Sequence, residues 1–170
     1  MTVIVVRPET PADQNLIDDL ITAAFRTGSH SNHNEAQIVR ALRCDGDLTL
    51  SLVAERAGGV VGHVAFSPVT IAGEAGRWFG LGPLAVRPDQ QGQGAGTALV
   101  KDGLAELVRQ DADGCVVLGD PKFYGRFGFA ASRALSYGGA PWSFVQYLAF
   151  DAPAPSGEIA YARGFDLANA

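Results

Sequence analysis

The chain has 170 residues, 47% of them hydrophobic and 18% charged, which suits one globular domain with a buried core and leaves little room for a second. Its 21 glycines and 9 prolines are scattered at turns, which excludes a collagen-like or low-complexity chain. The formal net charge of -5 argues against a general nucleic-acid binder, which needs a basic face to neutralise phosphates.

No apolar run approaches the ~20 residues that a membrane span needs, and no positive segment precedes an apolar stretch at the N-terminus. Cys44 and Cys115 are too few for a disulfide scaffold and match no metal-ligand spacing. The expectation is a cytoplasmic protein with no metal and no membrane or nucleic-acid partner.

Residues 3–7 read as a first strand stopped by Pro8, and Thr10-Pro11 offers an N-cap with a proline in the first helical turn. A helix over 11–26 would bury Leu16, Ile17, Leu20, Ile21 and Ala24, which recur at spacings of three and four. After a polar loop at 27–34 comes a second amphipathic helix over 35–43, with Ile38, Val39 and Leu42 on one side and Gly46 as its stop. Residues 48–55 alternate apolar and polar, and with Ala57-Gly58-Gly59 and the run 60–67 they predict a hairpin. Another strand is expected over 78–86, a helix over 94–110 and a short strand over 115–118; several turn-broken strands follow Phe129, the clearest at 144–150. This order predicts a mixed α/β layer.

The chemistry concentrates where the strand 78–86 feeds Gln91-Gly-Gln-Gly-Ala-Gly96 and the helix that follows. Gly92, Gly94 and Gly96 let the backbone approach a ligand closely, and the unpaired N–H groups of the helix start face the same place, a cradle for an anion. Pro83 cannot donate to a sheet ladder and is tolerated only at an edge or a bulge, so the strand should part from a neighbour there. A parted pair leaves backbone groups that an extended, amide-containing ligand can join as a further strand. Coenzyme A combines a diphosphate with a two-amide arm and fits both features. Gly80-x-Gly82-x-x-Ala85 spells a dinucleotide fingerprint, but Val86-Arg87-Pro88 stands where its helix should start, and Gly96-Thr97 lacks the lysine of a nucleotide-hydrolase loop.

Further on, Asp120-Pro-Lys-Phe-Tyr124 leads through Gly128-Phe129 as an aromatic turn after a strand. With Leu84-Ala85-Val86, Pro88 and Gln91 to Gly96, these residues resemble the GCN5-related N-acetyltransferase (GNAT) superfamily. Gly62-His-Val-Ala-Phe-Ser-Pro68 and Val117-Leu-Gly-Asp-Pro121 are similar in particular to its YhbS-like acetyltransferases, and the likeness covers most of residues 3–150. Residues 151–170, with Gly157-Glu-Ile-Ala-Tyr161, resemble a closing strand of the same domain more loosely. The resemblance implies a mostly antiparallel sheet splayed at a cofactor wedge between strands 80–86 and 114–119, with helices on both faces.

It also implies acetyl-CoA as co-substrate and direct transfer of the acetyl group to a primary amine, on a small molecule or a protein. By similarity, Leu84, Ala85 and Val86 hold the pantetheine, while Gln91, Gly92, Gln93, Gly94, Ala95, Gly96 and Thr97 take the diphosphate. Tyr124 matches the family's general acid, against the plainer reading of a packed aromatic. Family members that carry base histidines have them where this chain has Gly80 and Gly82, so the base is open among His63, Glu35 and Asp120, each with a structural alternative. His30 and His33 make a weak metal pair and suit an acceptor-gating loop better. Lys122, Arg126 and Arg87 are candidates to flank the phosphates. A non-catalytic acyl-CoA sensor on the same fold is the alternative function, and pairing into a homodimer through the short C-terminal strands is an expectation from the resemblance.

Overall fold

The computed structural model describes residues 3–27, 31 and 33–169. Its elements in chain order are β1 (Val5–Pro8), α1 (Gln14–Phe25), α2 (Glu35–Asp45), β2 (Leu50–Arg56), β3 (Gly59–Ile71), β4 (Glu74–Val86), α3 (Ala95–Arg109), β5 (Gly114–Leu118), α4 (Pro121–Tyr124), β6 (Ala130–Ala131), β7 (Leu135–Ser136), β8 (Val145–Ala149) and β9 (Gly157–Tyr161). The strands form one sheet in the order β1-β2-β3-β4-β5-β8-β6, with β9 against β3 and β7 beside β9. The β4–β5 and β7–β9 pairs are parallel, and the other described pairs are antiparallel.

Side-chain alternation along the central strands sends one set of residues to each of two helical layers. Leu52, Ala54, Val64, Phe66 and Leu81 pack against Leu99, Val100 and Leu107 of α3. Val53, Ala65 and Ala85 point the other way, onto Ile17 and Ile21 of α1 and Val39 of α2. Each large aliphatic side chain buried this way contributes about 1.5–3 kcal/mol. A third cluster, with Val69, Val116, Val145 and Ile159, closes the end of the sheet where β9 joins β3.

On β2 both alternating sets are buried, Ser51 and Val53 as well as Leu52 and Ala54, because helices cover both sides. Several expectations are corrected. Leu16 does not join the buried stripe of α1 and stays exposed, while Ile17, Leu20 and Ile21 turn inward. The first helical turn is a 3-10 turn over Pro11–Asp13. Strands β3 and β4 are longer than expected and meet in a second hairpin at Ala72 and Gly73, both at positive φ (56° and 76°), a turn that the sequence reading missed.

The register of β4 explains the place of Pro83. Leu84 pairs with Val64 and Leu81 with Phe66, so β4 carries one residue more than β3 across this stretch, a bulge containing Gly82 and Pro83 joined by a cis peptide bond. On its other side β4 pairs with β5 only from Trp78 to Leu81, the last rung being Leu81 with Val117. From Gly82 onward the two parallel strands separate.

Candidate active site

Where β4 leaves β5, a cleft of about 820 Å³ runs through the sheet. Its walls come from both layers: Gly82, Pro83, Leu84 and Val86 of β4, the first turn of α3, Tyr124 of α4, and, from the opposite layer, Phe25, Glu35 and Ile38. Phe165, from the 3-10 segment Arg163–Asn169, closes the far end.

One end of the cleft is built for an anion. Gly92 (φ 73°) and Gly94 (φ 96°) turn the chain in the left-handed region that glycine enters without a Cβ clash, and Gly94 caps α3. The first helical hydrogen bond runs from the Ala98 N–H to the Gly94 carbonyl (3.0 Å), and no side chain caps the preceding donors. The N–H groups of Ala95, Gly96 and Thr97 are therefore open, at the positive end of a helix of fifteen residues.

The turn is braced from outside. Arg56, at the end of β2, donates from Nη1 to Gln90 Oε1 (2.9 Å) and Gln93 Oε1 (2.8 Å), and from Nη2 to the Gln93 carbonyl (2.8 Å). Gln91 Nε2 ties back to the Val86 carbonyl at 3.1 Å. Gln93 thus faces Arg56 and does not line the cleft, so its side chain serves the shape of the turn. Arg126 stands beside the helix start, 4.8 Å above the Phe123 ring, with Nη2 3.2 Å from Thr97 Oγ1.

At the middle of the cleft the strand edge at 82–86 has no partner on the β5 side, leaving backbone donors and acceptors facing the space. Leu84 and Val86 line that space, whereas the Ala85 side chain is buried against α1, so only its backbone serves this edge. Tyr124 is 9% exposed, edge-on to Phe123 (4.9 Å) and Phe129 (5.8 Å). Its ring lies against Gly119, where a Cβ would come within 2.5 Å of Tyr124 Cε2. Gln146, buried on β8, donates to the Gly119 carbonyl (3.0 Å) and pins that end of β5. Burial pushes the Tyr124 phenol above its ordinary range, with proximity to Cys115 adding to the effect.

The three candidate bases separate. Glu35 lines the cleft, with Oε1 accepting from Ser31 Oγ. His63 does not reach it: the ring is fully buried on the α1–α2 face of β3, its Nε2 2.8 Å from Ser51 Oγ. Desolvation, with the positive charge of Arg43, lowers its pKa to about 3 and keeps it neutral. Asp120 caps α4 by accepting from the Lys122 N–H (2.9 Å), the turn-forming role weighed against a chemical one, and lies outside the cleft walls. The place of a side chain at Gly80 is taken by Tyr161, whose Cε1 would lie 2.3 Å from a Cβ there.

His33 does not line the main cleft but borders a small cavity beside α1 and α2 that shares Phe25 and Glu35 with it, and His30 falls outside the described residues. Among the described residues no group of three His, Cys, Asp or Glu could hold a metal, and no helix is long and apolar enough to cross a membrane. Cys115 is buried within β5 with its thiol pKa pushed up by desolvation, which leaves it inert. Phe25, Ile38, Phe165 and Arg56 were not among the residues that the sequence assigned to the site. The first three look like ordinary apolar positions, and Arg56 is an unremarkable charge beside a hairpin turn.

The model of the acetyltransferase (GNAT) domain matches residues 47–131. A curated relative, "Uncharacterized N-acetyltransferase YhbS" of Escherichia coli strain K12, is 45% identical over 125 residues, 73% of this chain and 72% of its own length. The chain belongs to the GNAT acetyltransferase family. Among solved structures, a GNAT family acetyltransferase from Brucella melitensis, in complex with acetyl-CoA, superposes with a TM-score of 0.86 at 46% identity, covering 96% of this chain and 99% of that one. YhbS from Escherichia coli, in complex with CoA, superposes with a TM-score of 0.87 at 37% identity, covering 98% and 93%. Fold and family thus agree with the sequence resemblance, down to the splayed sheet between helical layers.

Proposed function

We infer that the cleft binds acetyl-CoA and that the protein transfers the acetyl group directly to a primary amine. The observation that carries this reading is the meeting, in one cleft, of an unpaired strand edge at 82–86 with the open first turn of α3. The edge offers backbone partners to the pantetheine amides, as a peptide finds at a sheet edge. The turn 91–94 and the amides of Ala95 to Thr97 offer donors to the diphosphate, with Arg126 as the cation beside them. The bound acetyl-CoA of the Brucella melitensis relative and the bound CoA of the Escherichia coli relative support the same donor here.

In the transfer, the neutral amine nitrogen attacks the thioester carbon, the C–N bond forms, the C–S bond breaks and sulfur leaves as a thiolate. Nitrogen gives up one proton and sulfur gains one. Tyr124, buried and protonated, gives its hydroxyl proton toward the sulfur and regains one from solvent. A backbone amide of the 84–86 edge, aimed at the thioester oxygen, stabilises the charge that grows there in the transition state. Glu35, the carboxylate among the described residues lining the cleft, receives the amine proton, directly or through water.

Strand β9 belongs to the last twenty residues and pairs with β3, which supports reading 151–170 as the closing part of one domain. An exposed, unpaired Cys44 suits the reducing cytoplasm. Calorimetric titration of the protein with acetyl-CoA, against ATP and NAD, tests the donor. Selective binding of acetyl-CoA, followed by thiol release when an amine is added, is the expected result. Binding to none of the three, or to ATP or NAD alone, overturns it.

A further inference from the structure

A second cavity, of about 420 Å³, adjoins the far end of the active-site cleft, and Leu118 and Phe165 form walls of both. On its own side it is lined by Tyr137, Tyr161, Glu158 and Asp166. The rings form a connected group: Tyr137 and Tyr161 meet edge to face at 5.1 Å, and Tyr161 and Phe165 tilt together at 4.8 Å.

Charge divides along the combined space. Arg126, at the anion-binding end, is the cation among the described residues lining either cavity. Beyond Tyr124 the charged walls are all acidic, with Glu35 in the cleft and Glu158 and Asp166 in the adjoining cavity. Arg163, three residues before Asp166, is paired with Asp45 at 3.0 Å and also feels the charge of Asp166, so Glu158 is the carboxylate of this cavity with no cation recorded beside it among the described residues. A volume near 420 Å³ admits about a dozen non-hydrogen atoms, at roughly 30 Å³ each. Aromatic faces inside this space, with the exposed carboxylates of Glu158 and Asp166 at its rim, favour a second positive charge and disfavour a carboxylate.

We propose that this cavity is the acceptor subsite and that the acceptor is a small aliphatic amine bearing a second ammonium group, a diamine or longer polyamine. The proposal rests on the acetyl-CoA reading above. One nitrogen loses its proton and attacks the thioester. The other stays charged between the aromatic group and the carboxylates of Glu158 and Asp166, which fixes the reach of the acceptor and rejects amino acids through their carboxylate.

Thiol release from saturating acetyl-CoA, measured with three acceptors of equal length, tests this: 1,5-diaminopentane, pentylamine and 5-aminopentanoate. The expected order of kcat/KM is diamine over monoamine by about ten-fold, with the aminocarboxylate lowest, and the ratio shrinks as salt rises. In the double variant Glu158→Gln, Asp166→Asn the diamine-to-monoamine ratio falls to within about two-fold; the single variants give the same reading, each in part, should the double variant not fold. Equal rates for the diamine and the monoamine, or a ratio that survives the variants, overturn the proposal, as does turnover of protein lysines with free diamines ignored. If acetyl-CoA does not bind in calorimetry, the donor reading falls and takes this one with it. If it binds and the selectivity is absent, the acceptor inference fails alone.

Discussion

Tyr124 sits on the cleft wall with a pKa that burial drives upward, a shift that holds the proton in place at the cost of acid strength. An upward shift means the phenol keeps its proton through the alkaline range in which the acceptor amine loses its own. kcat should therefore rise with pH and hold to about pH 10, the ordinary phenol value, and a falling limb between pH 8 and 10 speaks against Tyr124 as the donor. The variant Tyr124→Phe keeps the ring packed against Gly119 and Phe129, and should lower kcat about ten-fold or more at nearly unchanged acetyl-CoA affinity. An unaltered kcat leaves Tyr124 a packing residue. His63, by contrast, is a chemically capable side chain that the fold makes inaccessible.

The active-site turn is an element held in shape from two sides, by glycines within it and by Arg56 outside it. Replacing Gly94 by Ala puts a Cβ on a residue at φ 96°, with Ile4 Cδ1 no closer than 3.7 Å, so the cost is backbone strain and not a collision. A loss of about 1–2 kcal/mol is expected, read as a lower Tm together with a higher KM for acetyl-CoA. Arg56 makes three hydrogen bonds to the turn, each contributing about 0.5–1.5 kcal/mol net. Arg56→Gln should raise the KM for acetyl-CoA about ten-fold with kcat held, because preorganisation of the turn affects binding of the diphosphate and not the chemical step. S-acetylpantetheine, which lacks the diphosphate, serves as the control: an equal rise in its KM shows that Arg56 acts on general stability. Partial recovery in Arg56→Lys separates the charge from the three-point geometry.

At the scale of the whole molecule, the sheet is covered by helices on both sides, and polar residues caught on its inner positions tie stability to pH. His63 has a folded-state pKa of about 3 against an ordinary value of 6.5. As pH falls below 6.5 the unfolded chain takes up a proton that the native protein refuses, so stability drops as acid is added and is unaffected by this group above 6.5. The slope approaches ~1.4 kcal/mol per pH unit for one proton, a fall in Tm between pH 6.5 and 5 that His63→Gln should flatten. A Tm that stays level over that range in the native chain contradicts the burial of a neutral His63. Asp13, paired with Arg7 at 2.7 Å, has its carboxyl held below the usual range and adds a further loss only at lower pH.

Local chemistry made much of this molecule legible before any packing was known. A proline cannot serve a sheet ladder, and glycines at a helix start permit left-handed turns, so the parting of the strands at Pro83 and the open end of α3 follow from residue types alone. Periodicity likewise placed Ile38, Val39 and Leu42 on the buried side of α2, because a helix repeats its faces within a few residues. What closes around the cleft from a distance was not readable in this way. Phe25, Glu35 and Phe165 share a wall though they come from three separate segments, and Arg56 reaches a turn more than thirty residues away in the chain. The same holds for His63, whose access depends on whether α1 and α2 cover its face of the sheet, and for Gly80, whose vacant side is filled by Tyr161 from the far end of the chain. Short-range sequence carries conformational preference, whereas burial, access and the company of a side chain depend on contacts between distant segments, which only the tertiary structure decides.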